Sequence, residues 1–183
     1  LDLRALLRAA YVDATTGEVV EGGSTITQQL VKKLYVGDEQ TIGRKIREAY
    51  LAWKLEQRLS KDRILTRYLN TVYFGNGAYG IKAASEAYFG KQPLEVTLPE
   101  AALLAGLIAA PVDYDPVRHP GRSERRRNHV LSLMLGLGII DQAEFEDATV
   151  FRPDIVALRR KVRAALDTSL PDGAARVTIQ LTS

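Results

Sequence analysis

Eight polar residues in two short stretches of the chain have types and spacing suited to chemistry. Thr25, Gln28, Gln29, Lys32 and Lys33 fall within GGSTITQQLVKK, Gly22–Lys33. At helical spacing they share neighbouring faces. A helix N-terminus with unsatisfied N–H groups, two amides and two ammonium groups makes a setting for an anion, a phosphate above all. The second stretch is RKIRE, where Glu48 follows Arg44 by four residues and Lys45 by three. A carboxylate held among cations can face a substrate or a metal. Each stretch also has a plainer reading. The first can be a capped surface helix with solvated lysines, and the second an exposed ion pair worth a few tenths of a kcal/mol, of order ~0.3.

The elements needed to position these groups follow from the pattern. Gly22 and Gly23 allow a sharp turn, since glycine enters positive φ without penalty. Thr25 with Gln28 reads as a capping box. Ile26, Leu30 and Leu34 form the inward stripe of the helix that follows, which ends near Val36–Asp38. Thr41 caps the next helix, run to about Leu59, with Ile42, Ile46, Ala49, Trp53 and Leu59 as its apolar, inward side. Before these, Leu1–Val12 reads as a helix and Asp13–Gly23 as a turn-rich loop.

Downstream, Ser60 caps a helix over Lys61–Leu69 with Ile64, Leu65, Tyr68 and Leu69 inward. YFGNGAYGI, Tyr73–Ile81, is a glycine-rich turn without a Walker lysine, so a nucleotide loop is rejected. A helix over Ile81–Phe89 stops at Gly90. Thr97 and Glu100 form another capping box, opening a buried helix rich in alanine and leucine to about Ala109. Val112–Gly121 is expected as an extended loop. Ser123 is expected to cap a helix through Leu135 that carries Arg125, Arg126 and Arg127 on a solvated face. Asp141 with Glu144 starts a short helix. After Phe151 a basic helix with Arg159, Arg160, Lys161 and Arg163 and a strand at Val177, Ile179 and Leu181 are expected.

With 183 residues the chain is long enough for one domain with a sizeable core. A formal net charge of +3 favours anionic partners: nucleic acid, lipid headgroups or a phosphorylated substrate. The absence of cysteine excludes disulfides and thiolate metal sites. Two histidines, His119 and His129, argue against a histidine-rich metal site. The longest apolar run, Ala101–Val112, is too short to span a bilayer. The chain opens on Leu1 and closes on the start of a strand pattern, so it reads as a piece of a longer protein.

Taken together, the motifs resemble the peptidoglycan glycosyltransferase domain, glycosyltransferase family 51, found in class A penicillin-binding proteins and monofunctional transglycosylases. GGSTITQQLVKK is similar to the family's second motif and RKIREAYLAWKLE, Arg44–Glu56, to its third. RILTRYLNTVYFGNGAYGIKAASEAYFGK, Arg63–Lys91, is similar to the fourth. LPEAALLAGLIAAPVDYDP and RRRNHVL are similar to later ones, all in the family's order. The resemblance implies a mainly α, lysozyme-like fold with a groove between a large lobe and a membrane-touching jaw. It implies residues 1–150 as the glycosyltransferase domain and residues 151–183 as a linker and strand leading toward a transpeptidase domain.

The implied substrates are lipid II and the growing glycan strand. The acceptor's 4-hydroxyl attacks the donor's anomeric carbon with inversion, and undecaprenyl pyrophosphate leaves. Such a reaction needs a carboxylate base for the hydroxyl and positive charge for the leaving group. Carried over residue by residue, Glu48 is the catalytic glutamate at the pyrophosphate end of the donor site. Arg44 and Lys45 are donor-side phosphate contacts. Thr25, Gln28, Gln29 and Lys32 face substrate, and Gly22 shapes their entry. A divalent cation, Mg or Mn, is a conceivable cofactor. The bacterial inner-membrane surface and other cell-wall synthesis proteins are implied partners, at the extracytoplasmic face of the cytoplasmic membrane, and no nucleic acid is expected.

Two departures stand out. Lys33 occupies the place where the family has asparagine. The family's first motif, which holds the general-base glutamate, has no counterpart in this chain, so the chain alone is expected not to polymerise lipid II. A lysozyme-like lytic enzyme and a non-catalytic lipid II-binding module remain the competing readings. The basic second motif speaks against the lytic one, which meets no pyrophosphate.

Overall fold

One helix, Leu98–Ala109, is buried along nearly its whole length, from Glu100 through Leu107. Its run of alanines and leucines lets other elements close in on every side. A computed structural model describes residues 25–35, 42–151, 153, 157–158, 160–162 and 164. In chain order the helices are α1 (Ile26–Tyr35), α2 (Ile42–Glu56), α3 (Lys61–Leu69), α4 (Ile81–Phe89), α5 (Leu98–Ala109), α6 (Pro120–Gly136) and α7 (Gln142–Val150), with a 3-10 turn at Pro93–Glu95. The described residues are mainly α, and their one β contact is the isolated antiparallel bridge between Tyr73 and Tyr79. The expected helix over Leu1–Val12, the loop before Thr25, the cap at Thr41 and the strand near Ile179 lie outside the described residues.

Most helix starts obey local chemistry. The Thr97 and Glu100 side chains form a capping box at α5, and Asp141 and Glu144 form another at α7. At α3 the Arg63 N–H donates to Ser60 Oγ. Gly90 ends α4 at φ +66°, in the left-handed region that favours glycine. In the turn between α3 and α4, Gly80 has φ +82°, and a Cβ there would lie 2.6 Å from the Asn70 carbonyl oxygen. Only glycine fits that approach. Asn76 and Tyr88 fasten the same turn from inside: Asn76 Nδ2 donates to Tyr88 Oη (2.9 Å), which donates to the Phe74 carbonyl (3.0 Å).

Helix α6 packs along α5, and Gly106 allows the contact, since a Cβ there would meet Arg126 Cγ at 3.0 Å. This helix begins at Pro120, three residues before the expected cap at Ser123. Proline's fixed φ and missing N–H suit the first turn. Ser123 is instead buried inside the helix, its N–H donating to the His119 carbonyl. The segment before it is a succession of turns, not an extended loop, because Asp115 Oδ1 accepts the Val117 N–H at 2.8 Å.

The arginine triplet also departs from expectation. Arg127 is fully buried. Its guanidinium donates to the carbonyls of Phe151 (2.7 Å) and Thr149 (3.1 Å), closing the C-terminal end of α7. Arg126 lies over the Tyr114 ring. Beyond α7, Leu158 and Val162 are buried in the same core as α3–α6, and Lys161 Nζ donates to the Phe89 carbonyl at the end of α4 (2.6 Å).

Helix α2 turns an unexpected face inward, and it ends at Glu56, short of Leu59. Ile46, Tyr50 and Trp53 are 66, 56 and 58% exposed, and Ala49 is exposed as well. The residues turned inward are Glu48 and Ala52, with Arg44 and Leu55 half-buried. Hydrophobicity alone chose the wrong side. The other side carries the small Ala52 and the paired charges of Arg44 and Glu48.

Buried Glu100 offers a test of the core's polar fastening. Lys91 Nζ donates to both of its oxygens at 2.8 Å, and the Thr97 N–H and hydroxyl donate to one of them. Burial pushes this carboxyl upward, but the Lys91 and Thr97 hydrogen bonds outweigh it, and it titrates below its ordinary value. A depressed folded value means that the unfolded chain takes up the proton first. The contribution is therefore complete above the unfolded carboxyl's pKa of about 4.3 and is lost as pH falls through the folded value. Urea midpoints followed from about pH 6 down to about pH 3 should fall less steeply in Glu100→Gln than in the unmodified chain; equal slopes would refute this account.

Candidate active site

The site is built on a helix hairpin. Helix α1 packs against both α2 and α3. At its start, Thr27 is buried and its hydroxyl donates to Glu56 Oε1 at the end of α2 (2.6 Å). The start of one helix therefore meets the end of the other, and the two run antiparallel.

The capping box at Thr25 forms as its spacing requires. The Thr25 N–H donates to Gln28 Oε1 (3.0 Å), and the Gln28 N–H donates to Thr25 Oγ1 (3.2 Å). Gln29 is held differently: its Oε1 accepts from the hydroxyl of Tyr68 on α3 (2.8 Å). Tyr68 is buried, and burial pushes its hydroxyl up to about 12, so it stays a donor at neutral pH. Lys32 and Lys33 are exposed on α1. Gly22 lies outside the described residues.

On α2, Glu48 is only 3% exposed. One oxygen faces Arg44 Nη1 in a short ion pair, and the other lies 3.8 Å from Lys45 Nζ. The pair is buried on the Arg44 side and open to solvent on the Lys45 side. This is not the exposed pair of the plainer reading, because the carboxylate is enclosed. The structure thus places Thr25, Gln28, Gln29, Lys32, Arg44, Lys45 and Glu48 on one hairpin. It joins Arg44, Lys45 and Glu48 directly, while Lys32 makes no ion pair with Glu48.

Both Glu48 oxygens are turned to cations, and no group of three or more His, Cys, Asp or Glu able to hold a metal occurs among the described residues. Sequence reasoning took Tyr68 for a plain core residue. A signal was there: a tyrosine in an apolar stripe brings a hydroxyl that needs a partner when buried.

The described residues thus form a mainly helical domain with cations and one enclosed carboxylate on a hairpin. The family model described as Transglycosylase matches residues 1–135, and the chain belongs to that family. It is 50% identical over 148 residues to penicillin-binding protein 1A of Aquifex aeolicus, a match covering 81% of this chain and 20% of that protein. It is 45% identical over 148 residues to penicillin-binding protein 1A of Pseudomonas aeruginosa, covering 81% and 18%. Against penicillin-binding protein 1A of Escherichia coli the identity is 45% over 146 residues, covering 80% and 17%. The crystal structure of penicillin-binding protein 1A from Haemophilus influenzae is 30% identical and covers 73% of this chain and 17% of that one, with a TM-score of 0.43. The chain spans about a fifth of the length of the curated relatives it matches.

The enclosed pair has a measurable consequence. Removing one partner of a buried ion pair strands the other, at a cost of about 3 kcal/mol. Glu48→Ala should lower unfolding stability by about that much, whereas Lys45→Ala, on the solvent side, should change it by less than about 0.5 kcal/mol. Similar losses in the two variants, read from urea unfolding, would contradict the asymmetry.

Proposed function

We propose that this chain carries the donor side of a peptidoglycan glycosyltransferase that polymerises lipid II, with inversion at the donor sugar and departure of undecaprenyl pyrophosphate. The observation behind this reading is Glu48, enclosed between Arg44 and Lys45 on the hairpin that also bears Lys32. A negative group cannot itself stabilise a leaving diphosphate. Its role here is to hold Arg44 in place, so that guanidinium and ammonium groups meet developing charge without reorganising. Charge compensation is assigned to Arg44, Lys45 and Lys32, the cations these two helices carry beside Glu48 and on α1. Thr25, Gln28 and Gln29 line the substrate side of α1.

The base that takes the acceptor hydroxyl's proton is assigned to no described residue of this chain. Glu48 faces cations, and Glu100 is held by Lys91 and Thr97. The exposed stripe of Ile46, Tyr50 and Trp53 supports contact with a membrane surface. Tyrosine and tryptophan with flanking cations, here Lys45, Arg47 and Lys54, favour the headgroup region. That contact would put the reaction at the outer face of the cytoplasmic membrane, where a lipid-linked substrate is presented. Among the described residues no helix is long and apolar enough to cross a membrane.

The test is glycan-strand formation from purified lipid II. In the full-length parent, Glu48→Gln should lower turnover by about 100-fold or more while the variant still folds and unfolds cooperatively. The chain alone should form no glycan strands. An undiminished rate in the variant, or strands formed by the chain alone, would overturn the assignment.

A further inference from the structure

A hydroxyl side chain inside a helix has a ready partner in the carbonyl four residues before it. Thr66 in α3 and Ser85 in α4 use it, donating to the carbonyls of Asp62 (2.7 Å) and Ile81 (2.8 Å). Thr27 does otherwise. It is buried in the first turn of α1, and its hydroxyl crosses to Glu56 Oε1, on the last residue of α2, at 2.6 Å. Glu56 also defies local rules, since a carboxylate at a helix C-terminus meets the negative end of the dipole. Neither side of this contact is what local helix chemistry favours, and what it gains is a link between the two arms of the hairpin. We infer that Thr27 and Glu56 are positioning residues for the leaving diphosphate: their bond fixes where α1 lies along α2, and so where Gln28 and Lys32 stand relative to Arg44 and Lys45. Thr27 is buried and Glu56 is negative, so neither suits direct contact with the anion.

Leu30 and Val31 bury α1 by apolar contact, which is non-directional and does not by itself select one position along a neighbouring helix. A hydrogen bond weakens steeply as its distance and angle change, so it does select one. The Gln29–Tyr68 bond sets α1 against α3, and the Thr27–Glu56 bond sets it against α2. Thr27 adjoins Gln28 in the chain, and Glu56 is about two turns from Glu48 on the same helix. A shift at this contact is therefore carried to the polar groups of both helices. A misplacement of about 1 Å can cost about 100-fold in rate where several groups must meet one transition state.

This inference rests on the donor-side reading of the hairpin, and the experiment separates the two. The assay is glycan-strand formation from purified lipid II by the full-length parent, run well below each variant's melting transition, with Glu48→Gln as control. Thr27→Val keeps the shape and removes the donor. It should lower turnover by about tenfold or more, and Thr27→Ser, which keeps a hydroxyl, should recover most of the rate. Glu56→Ala should match Thr27→Val, while Glu56→Gln, which keeps an acceptor oxygen, should lose much less. Thr27→Val and Glu56→Ala combined should lose no more than either alone. The readout that a merely structural role would leave unmoved is Lys32→Ala. In the Thr27→Val background it should cost at least about threefold less than in the unmodified parent, because the ammonium is already displaced. A folded Thr27→Val parent with full turnover, or the same Lys32→Ala loss in both backgrounds, would overturn the positioning role and leave the donor-side reading standing. An undiminished rate in Glu48→Gln would overturn both. Should Thr27→Val fail to fold, Glu56→Ala, at an exposed position, takes its place in every comparison.

Discussion

An enclosed charge pair on α2 is the constraint around which the hairpin is best understood. Arg44 and Glu48 occupy the face that α2 turns inward, beside the small Ala52. Taking two charges out of water costs several kcal/mol per ion, of order ~5, and their attraction does not reliably repay it. An apolar pair of similar size would serve packing as well or better. The pair therefore makes little sense as a device for stability alone. It makes sense if a guanidinium must be held at one place and in one orientation, with solvent on the Lys45 side through which a ligand can reach it.

The frame that carries this pair is fastened by a second set of polar contacts, most of them at helix ends. Lys91 and Thr97 hold Glu100 at the start of α5, Arg127 closes the end of α7, and Lys161 caps the end of α4. The two C-terminal contacts put a cation where the last carbonyls lack partners and the helix dipole is negative. Between these fastened ends the core is apolar, with α5 at its centre and Leu158 and Val162 closing it from the far end of the described chain. A core built this way leaves the hairpin resting on it through α3, where Tyr68 belongs to both: its ring to the core and its hydroxyl to Gln29.

What was legible in the sequence was local. Thr25 with Gln28, Thr97 with Glu100 and Asp141 with Glu144 are each three residues apart, and each formed the capping box its spacing called for. The glycine turn at Tyr73–Ile81 and the stop at Gly90 follow from single-residue backbone preferences, and they are where expected. The burial of α5 was readable because small residues run all round it. What was not legible depended on partners distant in the chain. Arg127 looked like a solvated charge because nothing nearby in sequence announces the Thr149 and Phe151 carbonyls. The inward face of α2 was misread because Ile46, Tyr50 and Trp53 carry more apolar surface than Ala52 does. The site residues on α1 and α2 could be listed from motifs, but the enclosure of Glu48 and the anchoring of Gln29 could not.

That misreading itself constrains the protein's surroundings. A helix in a water-soluble domain ordinarily turns its apolar side to the core and its charges outward. Over part of its length α2 does the reverse, with an ion pair inside and an isoleucine, a tyrosine and a tryptophan outside. Full burial of such a side chain returns roughly 1.5–3 kcal/mol, and with Ile46, Tyr50 and Trp53 at 66, 56 and 58% exposure much of that is unrealised on this face. A helix with this division suits a boundary, its ionic side toward a polar reaction centre and its aromatic side toward something less polar than water. In the reading proposed here the substrate has the same division, a charged diphosphate joined to a hydrocarbon chain. The helix would then match its ligand on both sides at once, the diphosphate reached from the hairpin and the lipid lying along the exposed stripe.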